Sequence, residues 1–229
     1  MKIFNLGLNI EPGKYKHRTS CFDKLVEKFS PKASVAYAVE FIDDDPSKAD
    51  AIVFDSAKKL DLVLIDLEKI EKRILRSEDE KEKELLLKAQ ETLEGETLLC
   101  DAQILPKDTE ALKLLQLVTI KPSVGIENLG KIDELIKAVI EKCGVVLFFT
   151  AGKKEVHTWS VEKGENILEA AGKIHSDLKR GFIKGEVVNA KELDNFFNMA
   201  EARSRGFVKV VDGDYIMQTN DIIEVRFSV

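Results

Sequence analysis

The spacing of apolar positions divides the chain into a first part in which strands alternate with helices and a last part that is rich in strands. Short apolar runs at 2–8, 34–42 and 51–55 predict strands, and a helix is expected at 20–29. From Leu60 onward the apolar residues recur every three or four positions, which is typical of an amphipathic helix. This alternation indicates an α/β domain.

A helical hairpin is predicted at about 56–95. Ser77 and Glu80 have the spacing of a capping box at the start of its second helix, and Gly95 is expected to end that helix. The charged run at 78–84 is interpreted as a solvated helix face rather than an acidic binding tail. The hairpin is therefore expected to be an insertion with a charged outer surface.

The residues after the hairpin complete the first domain. A helix is predicted at 108–117, a strand at 118–126 and a further helix at 131–143. Gly144 follows that helix as a C-cap glycine. The character of the chain changes here, so we predict a first domain at 1–144.

The last part of the chain predicts a different kind of domain. Strands are expected at 145–151 and 155–161, then a helix over 166–181 with a capping asparagine at its start and a glycine at its end. A hairpin around an Asp-Gly turn is predicted at 207–219, and a cleanly alternating strand at 221–229. A hairpin, a crossing helix and later strands are typical of a β-grasp (ubiquitin-like) sheet.

Composition narrows the classes of protein. The 229 residues are 44% hydrophobic and 33% charged, with a net charge of -6, which argues against a general polyanion binder. The three cysteines, Cys21, Cys100 and Cys143, are widely separated, which favours reduced thiols over a zinc or redox motif. No apolar run approaches the roughly 20 residues that span a bilayer. We therefore expect a cytoplasmic protein with no membrane partner.

One stretch of the last domain is specific enough to indicate a family. Residues 148–188 closely resemble the signature stretch of the YchF (Obg-like) family of P-loop ATPases, and the resemblance continues through 214–229. The resemblance implies that 145–229 is a domain of the TGS type. The positions that fit the family pattern are Gly152, Glu155, Val156, Trp159, Ala170, Ala171, Gly172, Ile174, His175, Asp177, Gly181, Phe182, Ile183, Glu186 and Val187.

The earlier part of the chain resembles the same family more weakly. Residues 60–74 are similar to the first arm of its coiled-coil hairpin, and 114–129 to the strand that leads to its base-recognition motif. Residues 7–14 occupy the place of the phosphate loop. The predicted fold is thus α/β plus α+β: a degenerate P-loop NTPase-like domain with a helical hairpin insertion, followed by a β-grasp TGS domain.

The phosphate loop departs from the G-x-x-x-x-G-K-[ST] pattern. Gly7 and Gly13 are separated by five residues instead of four, although Lys14 follows in its expected place. Pro12 removes a backbone N–H donor, and Tyr15 replaces the hydroxyl that would bind magnesium. These changes predict that the phosphate cradle is broken.

The other nucleotide motifs implied by the resemblance are also incomplete. Asp43 fits the magnesium-side aspartate, but Pro46 stands where the family has a glycine. Asn128 fits the base-recognition motif, but Lys131 replaces its carboxylate. We therefore predict a non-hydrolysing domain with no catalytic residue, resident cofactor or metal ligand.

An alternative is an atypical site for ATP or GTP with magnesium. The residues that could build it are Lys14, Lys16 and Arg18.

A cluster of cations in the last domain is a candidate RNA contact. Lys173, Lys179, Arg180 and Lys184 face only Asp177 within their segment. An ordinary solvated helix C-terminus would also favour such cations, so both interpretations stay open.

Aromatic side chains add to this hypothesis. His157 and Trp159 alternate along one strand and could stack on an RNA base, although a half-buried aromatic patch is the simpler interpretation. His175 could pack within its helix or join the basic cluster.

The resemblance implies a binding or regulatory protein that contacts the ribosome or RNA through its TGS domain, with the first domain as a scaffold. The first alternative is a nucleotide-binding protein with a reshaped site. A second is a structural protein whose helical hairpin pairs with another chain, although a monomer is favoured.

Overall fold

The computed structural model of the chain describes residues 1–103 and 106–228. Their packing forms two compact units. The first comprises Met1–Tyr15 and Val39–Cys143, and the second comprises Lys16–Ala38 together with the residues from Gly144 onward. The chain therefore crosses between the units three times.

The elements of the first part of the chain are β1 Lys2–Leu6, β2 Gly13–His17, α1 Ser20–Phe29, β3 Ala33–Val35, β4 Tyr37–Ile42, β5 Ala51–Asp55, α2 Lys59–Ile74, α3 Glu80–Glu94, α4 Pro106–Lys113, β6 Ser123–Ile126 and α5 Ile132–Lys142. Those of the last part are β7 Val145–Ala151, β8 Glu155–Glu162, α6 Ile167–Ile174, α7 Ser176–Arg180, β9 Phe182–Asn189, α8 Met199–Ser204, β10 Lys209–Val211 and β11 Asp221–Phe227.

The first sheet has the strand order β2-β4-β1-β5-β6. β1 runs parallel to both β4 and β5, and β5 runs parallel to β6. Parallel strands end at the same edge of a sheet, so the loops after β1, β4, β5 and β6 lie along one carboxyl edge. Ligands of open parallel sheets bind at such an edge.

The helical hairpin α2–α3 is packed onto the core of the first unit. Leu62 and Ile70 of α2 and Leu86 and Leu93 of α3 are fully buried in one apolar cluster. Full burial of such a side chain stabilises the fold by about 1.5–3 kcal/mol. The three- and four-residue spacing of the apolar positions thus gives each helix one buried face.

The second sheet has the order β10-β9-β11-β7-β8-β3. β7 and β8 form an antiparallel hairpin, while β11 runs antiparallel to β9 and parallel to β7. β3 extends the sheet by pairing parallel to β8. Neighbouring residues of a strand face opposite sides, so Phe148 belongs to the core beneath α6 and Phe149 to the core beneath α1.

Helix α1 closes one face of the second sheet. Thr19 caps the helix by accepting the backbone N–H of Phe22 at 3.1 Å, and Phe22 and Leu25 are buried against the sheet. Lys28 donates to the carbonyl oxygen of Leu193 at 2.5 Å, and Lys24 pairs with the carboxylate of Asp194 at 3.1 Å. The segment 16–38 is therefore an integral part of the second unit.

Several predictions from the sequence are confirmed. The mixed α/β class is correct, α1 and β5 have the predicted bounds, and Gly144 adopts the left-handed conformation of a C-cap, with φ of +64°. The hairpin helices also form where the apolar spacing places them.

Other predictions are wrong. The cap of α3 is Asp79, which accepts the backbone N–H of Lys81, whereas Ser77 contacts Glu82. The segment after β1 contains strand β2 instead of a continuous loop. The predicted strand at 118–126 is confined to β6, and the helix predicted at 108–117 forms earlier, as α4.

The C-terminal elements differ in two further ways. The single helix predicted at 166–181 is divided at His175, whose extended backbone separates α6 from α7. The hairpin predicted at 207–219 does not form, because β10 pairs with β9 and Ile216 makes an isolated bridge to Asn166. Val229, the last residue of the strand predicted at 221–229, lies outside the described residues.

Candidate functional site

The loop that follows β1 is held by the side chain of Asn5. The amide nitrogen of Asn5 donates to the carbonyl oxygens of Leu8 and Ile10, at 2.9 and 3.1 Å. Its oxygen accepts the backbone N–H of Leu8 at 3.2 Å. Asn5 is buried, so these bonds replace its hydration and fix the turn that Gly7 makes with a φ of +82°.

The residues predicted for the phosphate loop are not followed by a helix. Gly13 begins β2 and Lys14 lies within it with an exposed side chain. A phosphate-binding loop directs free backbone N–H groups and the N-terminus of a following helix at its ligand. At this position the N–H of Leu8 is bonded to Asn5, and a strand follows.

Lys58 lies against the backbone of Gly7. A Cβ atom at Gly7 would be only 2.5 Å from the Lys58 Cδ and 3.1 Å from its Nζ. Lys58 follows β5, so the contact joins the loops of two adjacent strands at the carboxyl edge. It also brings one ammonium group beside the β1–β2 loop.

The other two predicted nucleotide residues are at the same carboxyl edge and are exposed. Asp43 follows β4, and Asn128 follows β6. Asp43 is the first of three consecutive carboxylates. A hydrogen bond from Lys48 lowers the pKa of Asp44, and hydrogen bonds from Ser47 lower the pKa of Asp45, so both are charged at neutral pH. This edge therefore carries charged carboxylates in the loop after β4.

The loop after β4 is fixed by Lys121, which the sequence did not indicate. The ammonium group of Lys121 donates to three backbone carbonyl oxygens, and burial lowers its pKa. The acceptors belong to Pro46, Ser47 and Ala49, at 2.8, 2.7 and 2.6 Å from the nitrogen. The loop that carries Asp43 thus has a defined shape.

The basic residues predicted to contact RNA are partly brought together at the junction of α6 and α7. Lys173, Lys179 and Arg180 line one concavity of about 430 Å³, together with Ser176. His175 separates the two helices, and its Nδ1 accepts the backbone N–H of Asp177 at 3.1 Å in this tautomer. The side chain of Lys179 crosses the helix at Gly172, where a Cβ would be 3.0 Å from its Cδ.

Most of these cations have acidic partners. Lys179 contacts both carboxylate oxygens of Glu169 at 2.7 Å, and Arg180 pairs with Asp177 at 3.0 Å. Lys173 has no ion-pair partner within the part of the chain that the structure describes. Its exposed ammonium is therefore the cation of this surface that is most available to an anionic partner.

Lys184 and Trp159 lie on strands instead of at the α6–α7 junction. Lys184 of β9 pairs with the carboxylate of Asp212. Trp159 of β8 is half-buried, its indole N–H donates to the Thr150 hydroxyl at 3.0 Å, and its ring stacks on His157 with 3.8 Å between centroids. The half-buried aromatic pair predicted as the simpler alternative is therefore present, and contact with RNA stays a prediction.

The cysteines do not have the lowered thiol pKa that makes a cysteine reactive. Burial raises the pKa of Cys21 to about 12 and that of Cys143 to about 11. Within residues 1–103 and 106–228, no three His, Cys, Asp or Glu side chains are arranged to hold a metal ion. In the same ranges, no helix has the length and apolar character needed to cross a bilayer.

Comparison with known proteins relates these features to a family. Residues 145–228 match the family model YchF-GTPase_C, described as a protein of unknown function (DUF933). The ribosome-binding ATPase YchF of Bacillus subtilis is 29% identical over 268 aligned positions, which cover 86% of this chain and 73% of that protein. The chain is similar to members of the YchF (Obg-like ATPase) family. The resemblance predicted from the sequence is thereby confirmed.

Other relatives match a smaller share of their own length. The ribosome-binding ATPase YchF of Mycoplasma genitalium is 32% identical over 55% of this chain, which covers 34% of that protein. The Obg-like ATPase homolog of Saccharomyces cerevisiae is 37% identical over 40% of this chain and 23% of that protein. The chain thus spans about a third or less of these two YchF relatives.

A solved structure supports the fold. The YchF GTPase of Schizosaccharomyces pombe superimposes with a TM-score of 0.79, and the match covers 96% of this chain and 88% of that one. The sequence identity is 16%, so this similarity concerns the fold alone.

Proposed function

We propose that this chain is a non-hydrolysing YchF-like binding protein that contacts the ribosome or RNA through a C-terminal TGS domain. In this proposal the predicted domain at 1–144 is a degenerate P-loop domain that serves as a scaffold, its segment 16–38 packing within the second unit, and 145–229 are the binding domain.

The proposal that the chain does not hydrolyse nucleotides rests on the structure of the β1–β2 loop. Its Leu8 N–H is bonded to Asn5 and it leads into β2, whereas phosphate binding depends on free N–H groups before a helix. These features argue against an intact phosphate cradle, and we assign no phosphoryl-transfer step to these residues.

The strand order supports a β-grasp domain. From β8 the order continues through β7, β11 and β9 to β10, and the hairpin β7–β8 is followed by α6. The closing strand β11 lies centrally, parallel to β7 and antiparallel to β9. This arrangement is the one expected of a β-grasp sheet, and the family resemblance favours the TGS type.

Two observations support ribosome or RNA contact. The curated relatives in Bacillus subtilis and Mycoplasma genitalium are named ribosome-binding ATPases. The α6–α7 surface presents Lys173 and Arg180, with His175 beside them, and cations of this kind bind phosphate backbones. Cytoplasmic localisation is part of this proposal.

Co-sedimentation with ribosomes over a salt series tests the proposal. We expect binding that weakens as salt rises, and the double variant Lys173→Gln/Arg180→Gln should weaken binding and flatten the salt dependence. Lys191→Gln changes an exposed cation elsewhere in the same unit and should leave binding unchanged. The proposal fails if the chain does not sediment with ribosomes even at low salt.

One contact favours a second function, an atypical nucleotide-binding protein. The ammonium of Lys58 lies beside Gly7 at the carboxyl edge, where it could meet a phosphate. Calorimetric titration with ATP and with GTP, each with magnesium, separates the two functions. Micromolar binding that is lost in Lys58→Ala would favour this alternative over the scaffold.

We also propose a monomer, with the helical hairpin packed on its own domain and not paired with another chain. Light scattering of the purified chain over a concentration series tests this: the mass should equal that of one chain, 25.7 kDa.

A further inference from the structure

Strands β7 and β11 separate in the middle of the second sheet. Their parallel register is limited to the pair Ile222 and Phe149, and Asn220 donates its N–H to the Leu147 carbonyl at 2.9 Å just before it. Beyond that pair, β7 continues to Ala151 and β11 continues for five residues. The sheet is therefore split at one end.

A cleft fills the space between the separated strands. It has a volume of about 640 Å³, which lies within the roughly 300–1,000 Å³ typical of ligand sites. Thr150 and Ala151 line one wall, and Ile223 and Val225 line the other. Leu178 of α7 contributes to the lining from one face of the sheet, and Phe29 of α1 and Met199 of α8 from the other.

The two walls of the cleft are strand edges. On its far side β7 is paired with β8 as far as Ala151, and β11 is paired with β9 as far as Phe227. On the side of the cleft, the described residues of β7 and β11 make no further β-sheet pair after Ile222 and Phe149. An open strand edge is a template for an added strand, which would complete its backbone hydrogen bonds.

The rim of the cleft is basic. Lys153 and Lys154 lie in the turn between β7 and β8 and are exposed. Neither ammonium group has an ion-pair partner among residues 1–103 and 106–228. By contrast, the two carboxylates of the lining already have partners: Glu224 on the opposite wall is paired with Arg203, and Glu155 lies 3.4 Å from His157 Nδ1. The rim therefore favours a partner that carries negative charge.

We propose that this cleft binds an extended peptide segment of a partner protein, with apolar side chains in the cleft and carboxylates against Lys153 and Lys154. The peptide adds a strand between β7 and β11. The open edges supply affinity through the backbone, the apolar lining selects the side chains, and the rim lysines set the direction of the peptide.

The protein contains its own reporter for this event. Trp159 is its single tryptophan, and the indole N–H of Trp159 donates to the hydroxyl of Thr150, which lines the cleft. A strand seated beside Thr150 therefore changes the surroundings of the indole. We expect a saturable change in tryptophan emission when a peptide binds.

The test uses the full chain and a short blocked peptide in which valine and threonine alternate and which ends in two glutamates. This peptide should change the emission of Trp159 and shift the amide NMR signals of Ala151 and Val225. The same peptide ending in two lysines should bind about tenfold more weakly. An N-methylated version, which cannot donate along its backbone, should not bind at a comparable concentration.

Matched variants locate the site. Lys153→Glu/Lys154→Glu should weaken binding of the glutamate peptide by about tenfold, whereas Lys163→Glu, an exposed lysine at the other end of β8, should bind like the unmodified chain. Both variants change exposed turn residues, and equal melting temperatures would show that their folds are intact.

Three results would overturn the proposal: equal affinity for the glutamate and lysine peptides, undiminished binding of the N-methylated peptide, or saturation by a small apolar dye with no response to any peptide.

Discussion

The carboxylate of Asp66 accepts both the backbone N–H and the hydroxyl of Thr119, each at 2.7 Å. Its other oxygen accepts the N–H of Val118 at 2.9 Å. Asp66 is fully buried in α2, and Thr119 lies in the turn before β6. A single side chain thus ties the helical hairpin to the segment that returns to the sheet.

Removing this carboxylate should destabilise the first unit. Asp66→Ala leaves two buried backbone N–H groups without an acceptor, and we expect a loss of about 3 kcal/mol in the free energy of unfolding. Asp61→Ala, an exposed aspartate on the same helix, should change it by less than about 0.5 kcal/mol. Urea denaturation followed by circular dichroism measures both, and equal midpoints would contradict the role of Asp66.

Asn5→Ala should loosen the β1–β2 loop. The substitution removes three hydrogen bonds, one to the Leu8 N–H and two to carbonyl oxygens, and we expect a loss of about 2 kcal/mol. Amide hydrogen exchange of Leu8 should become faster because its acceptor is gone. Asn128→Ala, an exposed asparagine at the same edge, serves as the control and should leave that exchange rate unchanged.

Acid should weaken the second unit through Glu186. Burial alone would raise the pKa of Glu186, but hydrogen bonds from Arg203 and Arg226 outweigh it and hold the pKa below its usual value. An unfolded glutamate titrates near pH 4.3. Because the folded pKa is lower, the stabilisation is fully present well above pH 4.3 and is lost as the pH falls through the folded pKa.

Glu186→Gln tests this dependence. At pH 7 we expect a loss of about 1–2 kcal/mol, since the guanidinium groups are partly exposed and screened by solvent. As the pH falls below about 4.3 and through the folded pKa, the variant should lose stability less steeply than the unmodified chain. Glu162→Gln, an exposed glutamate of β8, should follow the unmodified chain at every pH. Parallel acid curves for Glu186→Gln and the unmodified chain would refute the assignment.

The packing of α1 can be tested by truncating one aromatic side chain. Phe22 is 1% exposed in the core beneath α1, so Phe22→Ala should cost about 3–5 kcal/mol. Phe197 is 82% exposed, and Phe197→Ala should cost less than about 0.5 kcal/mol. Thermal unfolding of both variants measures these losses. A small loss of stability in Phe22→Ala would argue against the burial of Phe22.

The sequence predicted local structure better than long-range packing. The bounds of α1 follow from its apolar spacing and its capping threonine, but periodicity defines a buried face and not the surface that covers it. The membership of α1 in the second unit therefore could not be predicted. The α2–α3 hairpin was predicted because its apolar faces cover a neighbouring core, as the spacing requires.

Turn signals were less reliable. Asp212 and Gly213 predict a hairpin. Gly213 instead allows the side chain of Leu168 to lie close to the backbone, since a Cβ at Gly213 would be 2.8 Å from the Leu168 Cδ1. Gly7, Asp43 and Asn128 lie along one carboxyl edge of the first sheet and their role stays a prediction, whereas Asn5 was missed. A polar residue within the apolar run of β1, two positions before a glycine, was its only signal, and the three bonds of its side chain depend on a fold that a pattern does not contain.

The position of α1 also sets the order in which the molecule can be completed during synthesis. Its apolar face leaves the ribosome more than a hundred residues before the strands that bury it, because Phe22 and Leu25 pack on β7, β9 and β11. The second unit is therefore rich in contacts between distant positions, which favours slow folding. Until β11 is made, the apolar residues of 20–29 remain without the sheet that covers them, and folding chaperones could bind this segment.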